Sequence, residues 1–193
     1  MNKARLFLLM LALLPMVVQA QADKKLIDKA NQGDPAAMVK LGECYENGAG
    51  VPLDSTLALK WFQKAAEMGN GEGWLRISSY YLRGTLLPKD TARYFAIRKE
   101  WADKGLPNAL AGLATAYEFG KGVKADTAKS IELLEQAVKK GSAWGLQNMG
   151  SNYYWGDCGV EQDQKKAASY WEKSYKLGNF DVIGSLVAYY WNI

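Results

Sequence analysis

Histidine is absent from all 193 residues, and cysteine occurs only twice. Without histidine the chain lacks the commonest general base and the commonest metal-binding side chain. No acidic pair falls outside a capping or surface pattern, and neither thiol has a partner base in reach. The reading is therefore a non-enzyme with no cofactor and no metal site. A Ser-Lys or paired-carboxylate hydrolase stays open as a remote alternative. Charge of one sign is also lacking: 24 Lys plus Arg face 20 Asp plus Glu, interleaved along every predicted helix. A nucleic-acid binder would show a domain-scale basic patch, so no nucleic-acid partner is expected. Long apolar runs are missing except at the start, where Leu6–Leu14 follows Lys3 and Arg5. That run is too short to span a bilayer. With the small residues between Pro15 and Ala22 it reads as a secretory signal peptide over residues 1–22, cut after Ala20 or Ala22. The expected location is the periplasm or outside the cell, with no integral membrane segment left after cleavage. Removing Lys3 and Arg5 leaves 22 basic against 20 acidic residues, close to neutral.

The chain is rich in punctuation. Gly33, Gly69, Gly105, Gly141 and Gly178 recur at steps of 36, 36, 36 and 37, and Tyr45, Tyr81, Tyr117, Tyr153 and Tyr190 keep the same steps. Two columns in one register mark a repeat array. Residues 23–193 thus form one repeat domain, with units at about 34–69, 70–105, 106–141 and 142–178 and a C-terminal cap helix at 179–193. In each unit an apolar stripe such as Ala37, Leu41 and Tyr45 predicts a first helix. The small residue after the apolar one, as at Gly42, Ser78, Ala114 and Gly150, leaves room for a neighbouring helix. A glycine-bearing loop follows, and then Asp54, Asp90, Asp126 or Asp163 as the N-cap of a second helix. Trp61 and Phe62, Ile97 and Trp101, Leu133 and Ala137, and Tyr170 and Trp171 are its expected core.

Cys44 lies in the first unit and Cys158 in the fourth. At about 10 Å per packed helix pair they stand roughly 30 Å apart, whereas a disulfide needs Cα atoms within about 7 Å. Two unpaired thiols are expected, Cys44 on a packed helix and Cys158 in a loop, where an intermolecular bond stays open.

The unit Ala37-x3-Leu41-Gly42-x2-Tyr45-x2-Gly48-x-Gly50-Val51-x2-Asp54-x3-Ala58-x2-Trp61-Phe62-x2-Ala65-Ala66-x2-Gly69 resembles the Sel1-like repeat, a relative of the tetratricopeptide repeat. The second unit departs from it, with Leu86-Leu87 in the loop and Tyr94 where alanine is expected. The resemblance implies an all-α, right-handed α-solenoid of about four helix-turn-helix repeats with half-repeat caps, and a protein-binding role. Exported members of such families include envelope scaffolds, host-interaction factors and periplasmic immunity proteins that neutralise delivered toxins.

In such solenoids the first helices line a concave face. Counted from the Leu-Gly and Tyr columns, its outward positions hold Val39, Glu43 and Glu46, then Glu72, Leu75 and Arg83, then Ala111, Glu118 and Phe119, then Trp144, Tyr154 and Trp155, and lastly Trp191 and Asn192. Tryptophan and tyrosine dominate interface energetics, so Phe119, Trp144, Tyr154, Trp155 and Trp191 are the candidate partner-binding cluster. Packing within the chain is the competing reading for them. Glu43, Glu46, Glu72 and Glu118 give the face an acidic end that would favour a basic partner segment, with Arg83 interrupting it. The expected function is binding of an unidentified protein partner, in the form of a periplasmic immunity protein or, alternatively, of a scaffold in cell-envelope assembly.

Overall fold

The computed structural model describes residues 24–191; the signal-peptide reading, Asn192 and Ile193 lie outside them. The described chain is built of α-helices: α1 Lys24–Asn31, α2 Pro35–Asn47, α3 Ser55–Glu67, α4 Gly71–Arg83, α5 Thr91–Asp103, α6 Pro107–Phe119, α7 Thr127–Lys139, α8 Ala143–Trp155, α9 Gln164–Lys176 and α10 Ile183–Trp191. A 3-10 turn, Phe180–Val182, leads into α10. The architecture is the helix-turn-helix repeat solenoid that the columns predict. The helices fall into two compact units, divided inside α5 between Ile97 and Arg98.

The repeat register is written into the backbone. The closing glycines Gly33, Gly69, Gly105, Gly141 and Gly178 all take φ between 80 and 95°, a left-handed turn that other residues adopt only under strain. The expected aspartate caps are all made: Asp54 Oδ1 accepts from the Leu57 N–H at 2.9 Å, Asp90 from Arg93 at 2.8 Å, Asp126 from Lys129 at 2.9 Å and Asp163 from Lys166 at 2.8 Å. The same aspartates close their loops through the backbone. Each donates its N–H to the carbonyl of the column tyrosine, Tyr45, Tyr81, Tyr117 or Tyr153, at 2.8–2.9 Å. The extra residue of the 37-residue step is absorbed in the last loop, between Tyr153 and Asp163.

Packing explains the small column. In the N-terminal unit a Cβ on Gly42 would stand 2.5 Å from the Phe62 ring, so α2 and α3 meet with no side chain between backbone and ring. In the C-terminal unit Gly150 meets Trp171 of α9 in the same way, also at 2.5 Å. The Trp171 indole donates to the Gln147 carbonyl at 3.2 Å, and the Ser174 hydroxyl to the Ala143 carbonyl at 2.7 Å. Val182 and Leu186 bury against Ala167 and Trp171, which seats α10 on α9. The departing residue Tyr94 is itself core, 1% exposed.

Three residues expected to face outward do not. Val39, Leu75 and Ala111 are buried at 7%, 3% and 0% exposure. The reason is that a first helix inside a stack is covered on more than one side: α2 packs against α1 and α3, and α6 against α7 and α8. The outward stripe is narrower than the pattern suggests and runs along the C-terminal half of each first helix. Both cysteines are free thiols, Cys44 buried in α2 and Cys158 partly buried in the loop between α8 and α9.

Candidate protein-interaction surfaces

The outward residues form two chemically different surfaces, one in each unit. In the N-terminal unit Glu43 and Glu46 come from the last turns of α2, and Arg76 and Arg83 from α4. Arg76 donates to the Glu43 carboxylate and its other nitrogen lies 3.9 Å from Glu46. Arg83 donates to Glu46 at 3.0 Å. The Arg83 guanidinium also covers the Tyr80 ring at 4.8 Å, and burial, followed by the Glu46 charge, pushes the Tyr80 hydroxyl up to about 12. Glu72 sits half-buried in the first turn of α4, where the helix dipole favours an anion. The expected acidic end is thus corrected: two of its carboxylates are matched by arginines one repeat further on. The signal that could have revealed this was present in the sequence, since 33 residues separate Glu43 from Arg76 and 37 separate Glu46 from Arg83, close to the repeat step.

The C-terminal unit carries the aromatic surface. Phe119 and Trp155 are the last residues of α6 and α8, one repeat apart, and both stand in water at 60% and 67% exposure. Trp155 meets the half-buried Tyr154 edge-on, with centroids 4.7 Å apart, and Tyr154 rests on Trp171 at 5.3 Å. The exposed ring is thereby propped on the core. Trp144 is half-buried under the Arg98 guanidinium, 4.9 Å from its ring. Arg98, only 2% exposed, occupies the position that Phe62, Leu134 and Trp171 fill in the other repeats, and it presses on the glycine backbone of α6 at Gly112. Sequence reasoning passed over it, although a charge in an otherwise apolar column was the cue. Trp191 stands apart on α10, 81% exposed.

Glu118, in the last turn of α6 beside Phe119, faces Asp157 and Cys158 in the loop after α8. Burial, and then the charge of Asp157, hold its carboxyl above the usual carboxylate range, while a hydrogen bond from the Cys158 thiol acts the other way. The thiol in turn is pushed up to about 11, chiefly by burial and then by Glu118. At neutral pH it is a protonated donor and a poor nucleophile. No group of His, Cys, Asp and Glu suited to a metal ion occurs among the described residues, and no described helix is long and apolar enough to cross a membrane. What this geometry offers is recognition: large rings presented on a rigid backbone, with carboxylates beside them.

Comparison with known proteins fits this arrangement. A family model described as the Sel1 repeat matches residues 35–70, 107–142 and 145–179. The stretch between the first two matches holds the departing residues Leu86, Leu87 and Tyr94. Chitin synthase regulatory factor 3 of Schizosaccharomyces pombe is 36% identical over 112 residues, covering 56% of this chain and 12% of that protein. The chain spans less than a quarter of the length of the curated relatives it matches. Among solved structures, c5321, a protective antigen present in uropathogenic Escherichia coli strains and displaying an SLR fold, is 35% identical, with a TM-score of 0.56 over 81% of this chain and 33% of that one. The immunity protein Pa5087 of Pseudomonas aeruginosa shares the fold at 21% identity, with a TM-score of 0.57 over 92% of this chain and 67% of its own. With the matched repeats covering more than half of its length, and its caps, loops and glycine column in the corresponding register, the chain belongs to the Sel1 repeat family, whose members mediate protein–protein interaction.

Proposed function

We propose that the chain is an exported binding protein that works in the periplasm as an immunity protein, holding one delivered toxin by the aromatic surface of its C-terminal unit. The observation that carries the binding site is the pair Phe119 and Trp155, exposed at 60% and 67% at the same position of successive first helices. A largely exposed ring contributes little to folding, yet it supplies a large, rigid contact area to a partner at little entropic cost. Trp191 and the flanks of Trp144 and Tyr154 extend the surface. Export rests on the leader-like residues 1–22. The immunity role rests on kinship of fold, since Pa5087 shares the solenoid.

The test is affinity capture from envelope extract with the chain lacking residues 1–22, run beside the Trp155→Ala, Trp191→Ala double variant. The expected result is one stoichiometric partner, absent from the variant's capture although both proteins melt alike, whose toxic activity the wild-type chain inhibits. Several partners bound weakly and equally by both proteins would replace this reading with that of an envelope scaffold. Fractionation of cells expressing the full chain tests export, and retention in the cytoplasm would overturn it.

A further inference from the structure

The C-terminal surface pairs its rings with carboxylates, which defines the chemistry of what it can hold. This inference rests on the protein-binding reading and deepens it. Glu118 directly precedes Phe119, and Asp157 lies two residues beyond Trp155. The Cys158 thiol donates to Glu118, so the end of α6 and the loop leaving α8 are tied together and both carboxylates belong to one surface. Their situation differs from that of Glu43 and Glu46, each of which already has an arginine. Lys121 approaches the Phe119 ring, its Nζ 5.9 Å from the centroid, at the outer limit for a cation–π contact.

A purely apolar partner laid over Phe119 and Trp155 would strip water from Glu118 and Asp157 without replacing their hydrogen bonds, which is costly for charged groups. An acidic partner would add repulsion to that cost. A cationic side chain resolves both problems, because its charge faces the carboxylates while its stem and planar or ammonium head lie on the rings. We propose that Phe119, Trp155, Glu118 and Asp157 form a docking site for an arginine or lysine side chain of a polypeptide partner. Lys121, beside the Phe119 ring, is the chain's own competing cation at that edge of the site.

The probe is acetyl-Ala-Arg-Ala-amide, titrated into the isotope-labelled chain lacking residues 1–22, with acetyl-Ala-Gln-Ala-amide as the uncharged control and the Trp155 indole N–H resonance as the readout. The expected result is a saturable shift with the arginine peptide and at least about 5-fold weaker binding of the glutamine peptide, the ratio corresponding to the roughly 1 kcal/mol of a cation–π contact. The Glu118→Gln, Asp157→Asn variant, which should still fold and melt cooperatively, should bind the arginine peptide about 5-fold or more weakly, and Lys121→Ala should strengthen binding. Equal binding of the two peptides, wild-type affinity in the carboxylate variant, or no shift at Trp155 would overturn the proposal. A captured partner that depends on Trp155 and ignores the two carboxylates would sink this inference while leaving the protein-binding reading intact.

Discussion

The residue that ends each first helix separates the two units. In the N-terminal unit it is Asn47 or Arg83; in the C-terminal unit it is Phe119 or Trp155. Each of the four is followed by a glycine with φ between 64 and 74°, so the backbone treats them alike. The core positions, by contrast, vary only in which large group fills them: Phe62 faces Gly42, and Trp171 faces Gly150. Geometry is held by the inner columns, and chemistry is free to change at the helix ends. A repeat built this way can present charge pairs at one place and bare rings at another without disturbing its stacking.

The largest effect should come from moving a tryptophan deletion between these two kinds of position. Trp171 is 3% exposed and bonded to Gln147, so Trp171→Ala should cost about 3–5 kcal/mol in chemical denaturation. Trp155→Ala should stay within about 0.5 kcal/mol. Equal losses would mean that Trp155 is core and would dissolve the distinction between inner columns and helix ends.

A smaller effect is expected in the loops. Gly50 and Gly122 hold φ of 75 and 77°, and the same place is taken by Leu86 and Cys158 at 59 and 57°. A side chain there strains the backbone by about 1 kcal/mol, and Leu86, 52% exposed, gains little packing in return. Leu86→Gly should therefore stabilise by about 0.5 kcal/mol, the strain relief being reduced by the greater freedom of glycine in the unfolded chain. Gly50→Ala should destabilise by about 1 kcal/mol. Thermal melts of the two variants check the sign, and a loss in both would show that Leu86 is held by packing rather than strained.

The charge pairs of the N-terminal unit come next. Arg83 and Glu46 are 49% and 19% exposed at the side chain, so solvent screens much of their attraction. A double-mutant cycle with Arg83→Ala and Glu46→Gln should give a coupling of about 0.5 kcal/mol, fading in 1 M salt. A coupling that survives high salt would place this pair with the core and not with the adaptable ends.

These contrasts also explain what was legible in the sequence. Asp54, Asp90, Asp126 and Asp163 could be assigned as caps because local chain geometry alone dictates that bond, and the tyrosine and glycine columns because every unit repeats the same turn. First-helix caps were harder. Asp34, Asn70 and Ser142 each accept a backbone N–H, yet Leu106 fills the same place with no side-chain bond, which hides the column. Burial of Val39, Leu75 and Ala111 could not be read from a single helix, since it depends on the other helices packed against it. The arginine partners of Glu43 and Glu46 were missed for the same reason. Exposure of Phe119 and Trp155 was anticipated only as a face, and the prop of Tyr154 on Trp171 emerges from the packing alone.

The smallest effect tests the electrostatics of the C-terminal surface. Burial, and then the charge of Asp157, hold the Glu118 carboxyl above the ordinary glutamate range, so the folded chain holds this proton more tightly than the unfolded chain does. Stability from this group is complete below about pH 4.5 and is lost as pH rises through the higher folded value. Wild type should therefore lose a little stability across that window relative to Glu118→Gln, which cannot titrate. Asp157→Asn should narrow the difference by removing the neighbouring charge, and Cys158→Ala should widen it by removing a donor that favours the carboxylate. Denaturation curves collected from pH 4 to pH 7 decide the matter. Parallel curves for wild type and Glu118→Gln would mean that Glu118 is as well solvated as an ordinary surface carboxylate, and the aromatic surface would then differ from the charge-paired one in its rings alone.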